Sequence, residues 1–134
     1  MKSILSICML AMIALFTSCE KDEGKLPNIS FKTGGTYVSS DVTITKGTAF
    51  KMGINASKSE DEDVLKKFNI SKTIDGAPSV SLYDQDLSGG DADNFSYDFT
   101  TNAESTTGAK TKYIFTVTNR DGLVNQVSLT VTSN

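Results

Sequence analysis

Carboxylates are the most numerous groups in this sequence that could do chemistry, and the densest set lies between residues 84 and 93. Calcium takes about six to eight oxygen ligands, and alternate carboxylates on a glycine-bearing loop can supply several of them. The stretch contains Gly89-Gly90, but Phe95 stands where an EF-hand would place its last Glu. We expect either a solvated loop or a weak structural calcium site, with Asp84, Asp86, Asp91 and Asp93 as the candidate ligands.

The other reactive groups are few. A second acidic run, Glu60-Asp61-Glu62-Asp63, is interpreted as a solvated stretch of charge. Paired carboxylates can hydrolyse glycosidic bonds, but nothing in the sequence places two of them across a cleft. The sequence has no His, and its Cys residues are Cys8 and Cys19. This excludes Ser-His-Asp and Cys-His catalysis and the usual zinc sites. The sequence predicts a protein that is not an enzyme.

The net charge and the aromatic content limit the kinds of partner that this protein could bind. The net charge is −3, and the sequence has one Arg, Arg120. We therefore expect no nucleic-acid partner, because phosphate binding needs concentrated Lys and Arg. Trp is absent, so a sugar-stacking surface would have to use Tyr or Phe. Tyr97 is in phase with Phe95 and Phe99, which predicts a core position.

The start of the chain has the features of a secretory signal. Lys2 gives it a positive charge, and an apolar run from Ile4 to Phe16 is followed by small residues. That run is shorter than the roughly 20 residues of a membrane-spanning helix, and the pattern is typical of a signal peptide. Leu15-Phe16-Thr17-Ser18-Cys19 resembles the lipobox of bacterial lipoproteins. The resemblance implies cleavage of a signal peptide, residues 1–18, and acylation of Cys19.

A short polar segment follows Cys19. Lys21, Asp22 and Glu23 resemble the surface-export signal of Bacteroidetes-type lipoproteins. The competing interpretation is a solvated acidic spacer. We expect residues 19–26 to be a lipidated flexible tether and residues 27–134 to be one domain. The resemblance implies an outer-membrane location, with a lipid anchor and the domain facing the cell exterior.

The mature chain alternates apolar and polar residues, which is the period of a half-buried strand. Turn signals with glycine separate these runs, and Asn119-Arg120-Asp121-Gly122 is the clearest hairpin signal. Seven to eight short strands in this length predict an all-β protein with two packed sheets. The predicted strands carry apolar sets that include Ile29 and Phe31, Val42 and Ile44, Phe50 to Ile54, Phe68 and Ile70, Val80 and Leu82, Phe95 to Phe99, Tyr113 to Val117, and Val127 to Val131.

The final hairpin resembles that of Ig-like and PKD-like domains. The resemblance rests on residues 113–122 followed by 127–131. It implies an Ig-like antiparallel β-sandwich, with Tyr113 as the corner tyrosine hydrogen-bonded to nearby backbone. Phe115 stands where antibody domains have their second Cys, and Phe68 takes the place of their core Trp. The resemblance specifies a fold and no activity.

Three roles remain open for such a domain. The leading one is a non-enzymatic binding or structural lipoprotein on the cell surface. A glycan-binding accessory protein of polysaccharide uptake would need exposed aromatics, for which Tyr37 and Tyr83 are candidates, since Tyr83 is out of phase with Val80 and Leu82. An adhesin or assembly subunit would need an exposed edge strand, for which residues 29–31 are the candidate. Asn-x-Ser sequons begin at Asn28, Asn55, Asn69 and Asn94, and we assign them no role.

Replacing Cys19 tests the lipid anchor. We expect Cys19→Ala to accumulate as unlipidated precursor, because the acylated thiol and the cleavage site are both lost. Metabolic labelling with a fatty acid and the apparent mass of the chain report the two effects. Cys8→Ala is the matched control and should be processed normally. Membrane-bound, mature Cys19→Ala protein would rule out the lipoprotein interpretation.

Overall fold

The computed structural model describes residues 24–134, and the predicted signal peptide, Cys19 and Lys21, Asp22 and Glu23 lie outside them. The regular secondary structure of the described part consists of strands and one short 3₁₀ helix, Gly89–Ala92. None of its helices is long or apolar enough to cross a membrane. The strands are β1 (Asn28–Phe31), β2 (Val42–Ile44), β3 (Ala49–Ser57), β4 (Leu65–Ile74), β5 (Val80–Asp86), β6 (Asn94–Asn102), β7 (Lys110–Asn119) and β8 (Val124–Ser133).

The strands form two sheets packed face to face. One sheet has the order β1-β3-β6 and the other β2-β8-β7-β4-β5. This arrangement corresponds to Ig strands A, B and E facing strands G, F, C and C′, which confirms the predicted all-β Ig-like sandwich. The named strands pair in the antiparallel direction except for β2, which pairs with β8 in parallel. The chain crosses between the sheets after β1, so β2 runs in the same direction as the last strand.

Aromatic side chains fill the space between the sheets. Phe68 and Phe115 are fully buried, as predicted. The Phe68 ring of β4 lies 5.0 Å from that of Phe95 on the facing sheet. The Phe115 ring of β7 lies 5.5 Å from that of Phe31. Tyr113 is also buried, and its pKa is raised by burial and by the Glu104 carboxylate, while a hydrogen bond with the Thr101 side chain opposes the shift.

The chain passes from one sheet to the other between β5 and β6, which are the edge strands on this side of the sandwich. The 3₁₀ helix connects these strands, and they belong to different sheets. Tyr83 of β5 and Tyr97 of β6 stack across this side with ring centroids 4.6 Å apart. Tyr97 is partly buried against the core, as predicted, and burial raises its pKa. The tyrosine pair closes the gap between the sheets.

The predicted exposure of Tyr83 is wrong. Its ring packs against the core, whereas Val80 and Leu82 are exposed. The pairing of β4 with β5 shifts register between Ile70 and Ser71, so that Ile70 lies opposite Tyr83 and Ser71 lies opposite Ser81. A bulge reverses which residues of a strand face inward. The phase of Val80 and Leu82 therefore does not predict which side of the sheet Tyr83 faces.

A buried polar network ties the first described residues to the loops at one end. Asp63 is buried, which corrects the interpretation of residues 60–63 as wholly solvated. Its carboxylate accepts hydrogen bonds from the Asn119 amide at 2.7 Å and from the Val64 N–H. Asn119 also donates to the Lys25 carbonyl, and the Ser59 hydroxyl donates to the Leu26 carbonyl. Residues 25 and 26, predicted to be part of the flexible tether, are thus held against the domain.

Truncating Phe115 tests the aromatic core. We expect Phe115→Ala to lower the free energy of unfolding by about 3–5 kcal/mol, because a fully buried ring leaves a cavity between the sheets. Chemical denaturation measures the change. Thr116→Ala, on the opposite face of the same strand, should change stability by less than about 1 kcal/mol. A cost below that level for Phe115→Ala would contradict its place in the core.

Candidate functional site

The outer face of the three-stranded sheet carries a compact set of uncharged polar side chains. Residues two apart in a strand point to the same face, so each Asn-x-Ser sequon presents its Asn and Ser together. Three of the four sequons lie on β1, β3 and β6, the three neighbouring strands of this sheet. We call their six polar residues the Asn/Ser face: Asn28, Ser30, Asn55, Ser57, Asn94 and Ser96.

The antiparallel register arranges these side chains in two rows. In the first row, Ser57 lies opposite both Asn28 and Asn94. In the second row, Asn55 lies opposite both Ser30 and Ser96. Each Asn of the face therefore lies opposite a Ser on a neighbouring strand, and each Ser lies opposite an Asn. Amides and hydroxyls therefore alternate along both rows of the face, which extends across the three strands.

Most of the hydrogen-bonding capacity of this face remains available. Within the described residues, the one side-chain hydrogen bond that joins two of the six runs from Asn28 Nδ2 to Ser57 Oγ, at 3.3 Å. Asn amides both donate and accept, and so do Ser hydroxyls. The six residues line an open groove of about 570 Å³, to which Asn125 of β8 adds a further amide. The groove can therefore offer several uncharged donors and acceptors to a ligand.

A charged cluster bounds the face on the side away from residue 28. Asp98 of β6 accepts hydrogen bonds from Lys32 Nζ at 2.7 Å and from the Tyr37 hydroxyl at 2.9 Å. The Lys51 ammonium lies 4.4 Å from the centre of the Tyr37 ring, within range of a cation–π interaction. We call these four residues the Tyr37 cluster.

Gly53 allows the Tyr37 ring to lie on the sheet. A Cβ atom at this position would lie 2.7 Å from Tyr37 Cε1, 2.8 Å from Asp98 Oδ1 and 2.8 Å from Lys32 Cδ. Such contacts are too close for real side chains. Glycine in a strand interior often marks a close approach of this kind.

The Tyr37 cluster shifts the pKa values of its charged groups. Hydrogen bonds from Lys32 and then from Tyr37 lower the pKa of Asp98. The hydrogen bond to Asp98 raises the pKa of Lys32. The ion pair therefore persists over a wide pH range, and the Asn/Ser face itself contains no ionisable group.

The candidate calcium ligands are not brought together. Asp84 and Asp86 lie on β5 and not in a loop, and Asp84 pairs with Lys67 at 3.3 Å. Asp91 lies in the 3₁₀ helix, and Asp93 follows it and pairs with Lys58 at 3.0 Å. Across residues 24–134 there is no group of three or more His, Cys, Asp or Glu side chains that could hold a metal ion.

Comparisons with known proteins support the fold and assign no family. No protein-family model matches the chain, and no curated protein sequence matches it. A superoxide reductase (neelaredoxin) from Ignicoccus hospitalis superposes with a TM-score of 0.53 at 11% identity, over 82% of this chain and 81% of that one. A point variant of that reductase gives 0.53 at 12% identity, over 81% and 80%. The CARDB domain of a Pyrococcus furiosus protein gives 0.49 at 11% identity, over 82% and 99%.

Sequence reasoning missed the Asn/Ser face, although its signal was present. The spacing of Asn and Ser within each sequon matches the period of a strand, and three sequons overlap or directly adjoin predicted strands. What the sequence does not show is the register, which sets Ser57 between Asn28 and Asn94. Only long-range pairing turns three separate motifs into one surface.

Filling the space at Gly53 tests the packing of the Tyr37 cluster. We expect Gly53→Ala to lower the free energy of unfolding by about 1–3 kcal/mol, because the added methyl group displaces the Tyr37 ring. Gly90→Ala is the matched control, since a Cβ there meets no atom within 4 Å and its φ is not positive. Thermal and denaturant unfolding compare the two. Equal stability of both variants would contradict the close packing over Gly53.

The titration of Asp98 tests the ion pair. Its pKa is lowered in the folded state, so the stabilisation is complete above the ordinary pKa and is lost as the pH falls through the folded value. We expect Lys32→Met to return the Asp98 pKa towards its ordinary value, as measured by carboxyl NMR titration. Lys66→Met, on an exposed position of β4, should leave it unchanged. An unaltered Asp98 titration in Lys32→Met would show that the pair does not set the pKa.

Proposed function

We propose that this protein is a non-enzymatic binding protein, anchored at Cys19 to the outer membrane and facing the cell exterior, and that the Asn/Ser face binds an uncharged glycan. One observation carries the proposal. Six uncharged Asn and Ser side chains stand side by side on three neighbouring strands of a folded sheet. The lipid anchor and the location rest on residues 1–23 and on the resemblance of their sequence to lipoprotein signals.

The chemistry of the face suits a neutral sugar. Sugar hydroxyls both donate and accept hydrogen bonds, as do Asn amides and Ser hydroxyls. None of the six side chains is charged, so nothing on the face selects an anionic or cationic ligand. A groove of about 570 Å³ lies within the usual range for small-ligand sites. Side chains on paired strands are also held more precisely than side chains on loops.

The tyrosine rings contribute little to the proposed binding of sugars, because other side chains already pack against them. Tyr83 and Tyr97 are stacked on each other and packed on the core, and Tyr37 is held by Lys51 and Asp98. The Asn/Ser face would therefore bind mainly through hydrogen bonds. At roughly 1 kcal/mol net for each bond, four or five of them give a Kd of about 1 mM. Such affinity suits a long polymer that offers many copies of one repeat.

An enzymatic role is not proposed. The superoxide reductases share the fold at 12% identity or less, and fold does not carry activity. Transition-metal redox centres are usually built on imidazole or thiolate ligands. This sequence has no His, and no Cys lies beyond residue 19.

Binding to defined polysaccharides tests the proposal. We expect chemical-shift changes in the amide signals of β1, β3 and β6 with a neutral polysaccharide, and none with a polyanionic one of similar length. Asn55→Ala, at the centre of the face, should weaken binding by about fivefold to tenfold, because it removes an amide that can form more than one hydrogen bond. Ser128→Ala, on the exposed face of β8, is the matched control and should bind normally.

Two results would contradict this assignment. Saturation of the same signals by a polyanion would show that charge and not hydroxyl chemistry governs the site. The highest polysaccharide concentration should be about 10 mM repeat units, which is roughly ten times the expected Kd. If no neutral polysaccharide changes the amide chemical shifts at that concentration, the face does not bind a neutral glycan.

A further inference from the structure

The open edge of β6 is the longest and least protected strand edge among the described residues. β6 spans nine residues and has one hydrogen-bonded neighbour, β3. The edge strands β1 and β2 have four and three residues, and β5 carries a register shift and two acids, Asp84 and Asp86. Short length, bulges and charge are the usual protections of sheet edges. β6 contains no Pro, no Lys and no register shift, and Asp98 is its one charged residue.

The backbone groups that point outward from β6 can be assigned. The carbonyl of Asp93 accepts from Lys58, and the N–H of Ala103 donates to Thr48, so both residues face the β3 side. Backbone groups alternate in direction along a strand. The even-numbered residues therefore direct their N–H and C=O groups to the open edge, and they are Asn94, Ser96, Asp98, Thr100 and Asn102.

We propose that two copies of this chain associate by antiparallel pairing of their β6 edges, about a two-fold axis at Tyr97. This inference is independent of the glycan proposal. In this register Ser96 lies opposite Asp98 of the second copy, and Asn94 lies opposite Thr100. Each of these pairs has outward backbone groups on both sides and so exchanges two hydrogen bonds.

Charge disfavours the register with its axis at Asp98 and leaves β6 complementary to itself with the axis at Tyr97, which favours a second copy as the occupant. A two-fold axis at Asp98 would place two carboxylates directly opposite each other, which is unfavourable. With the axis at Tyr97, each Asp98 carboxylate instead faces a Ser hydroxyl that can donate to it. Pairing of this kind is isologous, so it closes as a dimer. The Asn/Ser face then continues across the junction as one surface of six strands.

Site-directed cross-linking tests the register. In the full chain, produced in cells, Asn94→Cys combined with Thr100→Cys should form a disulfide-linked dimer under mild oxidation. Opposite residues have Cα atoms about 5.5 Å apart, within the range for disulfides. The two positions in one chain lie about 20 Å apart and cannot bridge each other. Each single Cys variant and the unmodified chain are the controls and should give no dimer.

Two further changes separate self-pairing from other contacts. Adding Ser96→Asp should reduce the cross-linked fraction at least about fivefold, because acids then face each other at two places in the dimer. Adding Ser96→Pro, which removes an outward N–H, should do the same. Circular dichroism of each variant verifies the fold. Absence of the dimer, a dimer that Ser96→Asp does not weaken, or a product that contains a different protein would overturn the proposal.

Discussion

The contact between Phe68 and the facing sheet is the interaction on which the two-layer arrangement depends. Phe68 of β4 lies within 5.0 Å of the Phe95 ring and within 5.5 Å of the Tyr97 ring. The described chain contains no Cys, so no disulfide joins the sheets, and ring burial must supply the cohesion that such a bond gives in antibody domains. The outer faces are then free to carry polar residues, because stability is concentrated between the layers.

Two surfaces follow from this division. The three-stranded sheet is narrow, and the Tyr37 ring covers its outer face only at Gly53 and beside it, so most of the Asn/Ser face is exposed to solvent. The connection from β5 to β6 by a short 3₁₀ helix takes the place of a further edge strand, which leaves the β6 edge uncovered. The stacked rings of Tyr83 and Tyr97 seal the interior there without occupying the backbone groups of that edge.

Much of the fold could be predicted from the alternation of apolar residues, because one face of each strand is buried. The failures are local. The alternation places Tyr83 outside because the register shift at Ile70 and Ser71 cannot be seen in the phase of Val80 and Leu82. The sequence pattern also predicts that Asp63 is solvated, because its buried hydrogen-bond partner, Asn119, lies 56 residues away in the chain. The Asn/Ser face escapes prediction for the same reason, as cross-strand register is a long-range property.

Together with the proposed lipid anchor, the network around Asp63 would determine how the domain is oriented on the membrane. Lys25 and Leu26 are held at the end formed by residues 58–64 and by the hairpin between β7 and β8. With the proposed anchor at Cys19, that end faces the bilayer, and the opposite end, with residues 103–109 and the C-terminus, points outward. The Asn/Ser face is then a side wall whose first row, Asn28, Ser57 and Asn94, lies nearest the lipid. A polymer bound there would be held close to the membrane surface, beside the protein and not above it.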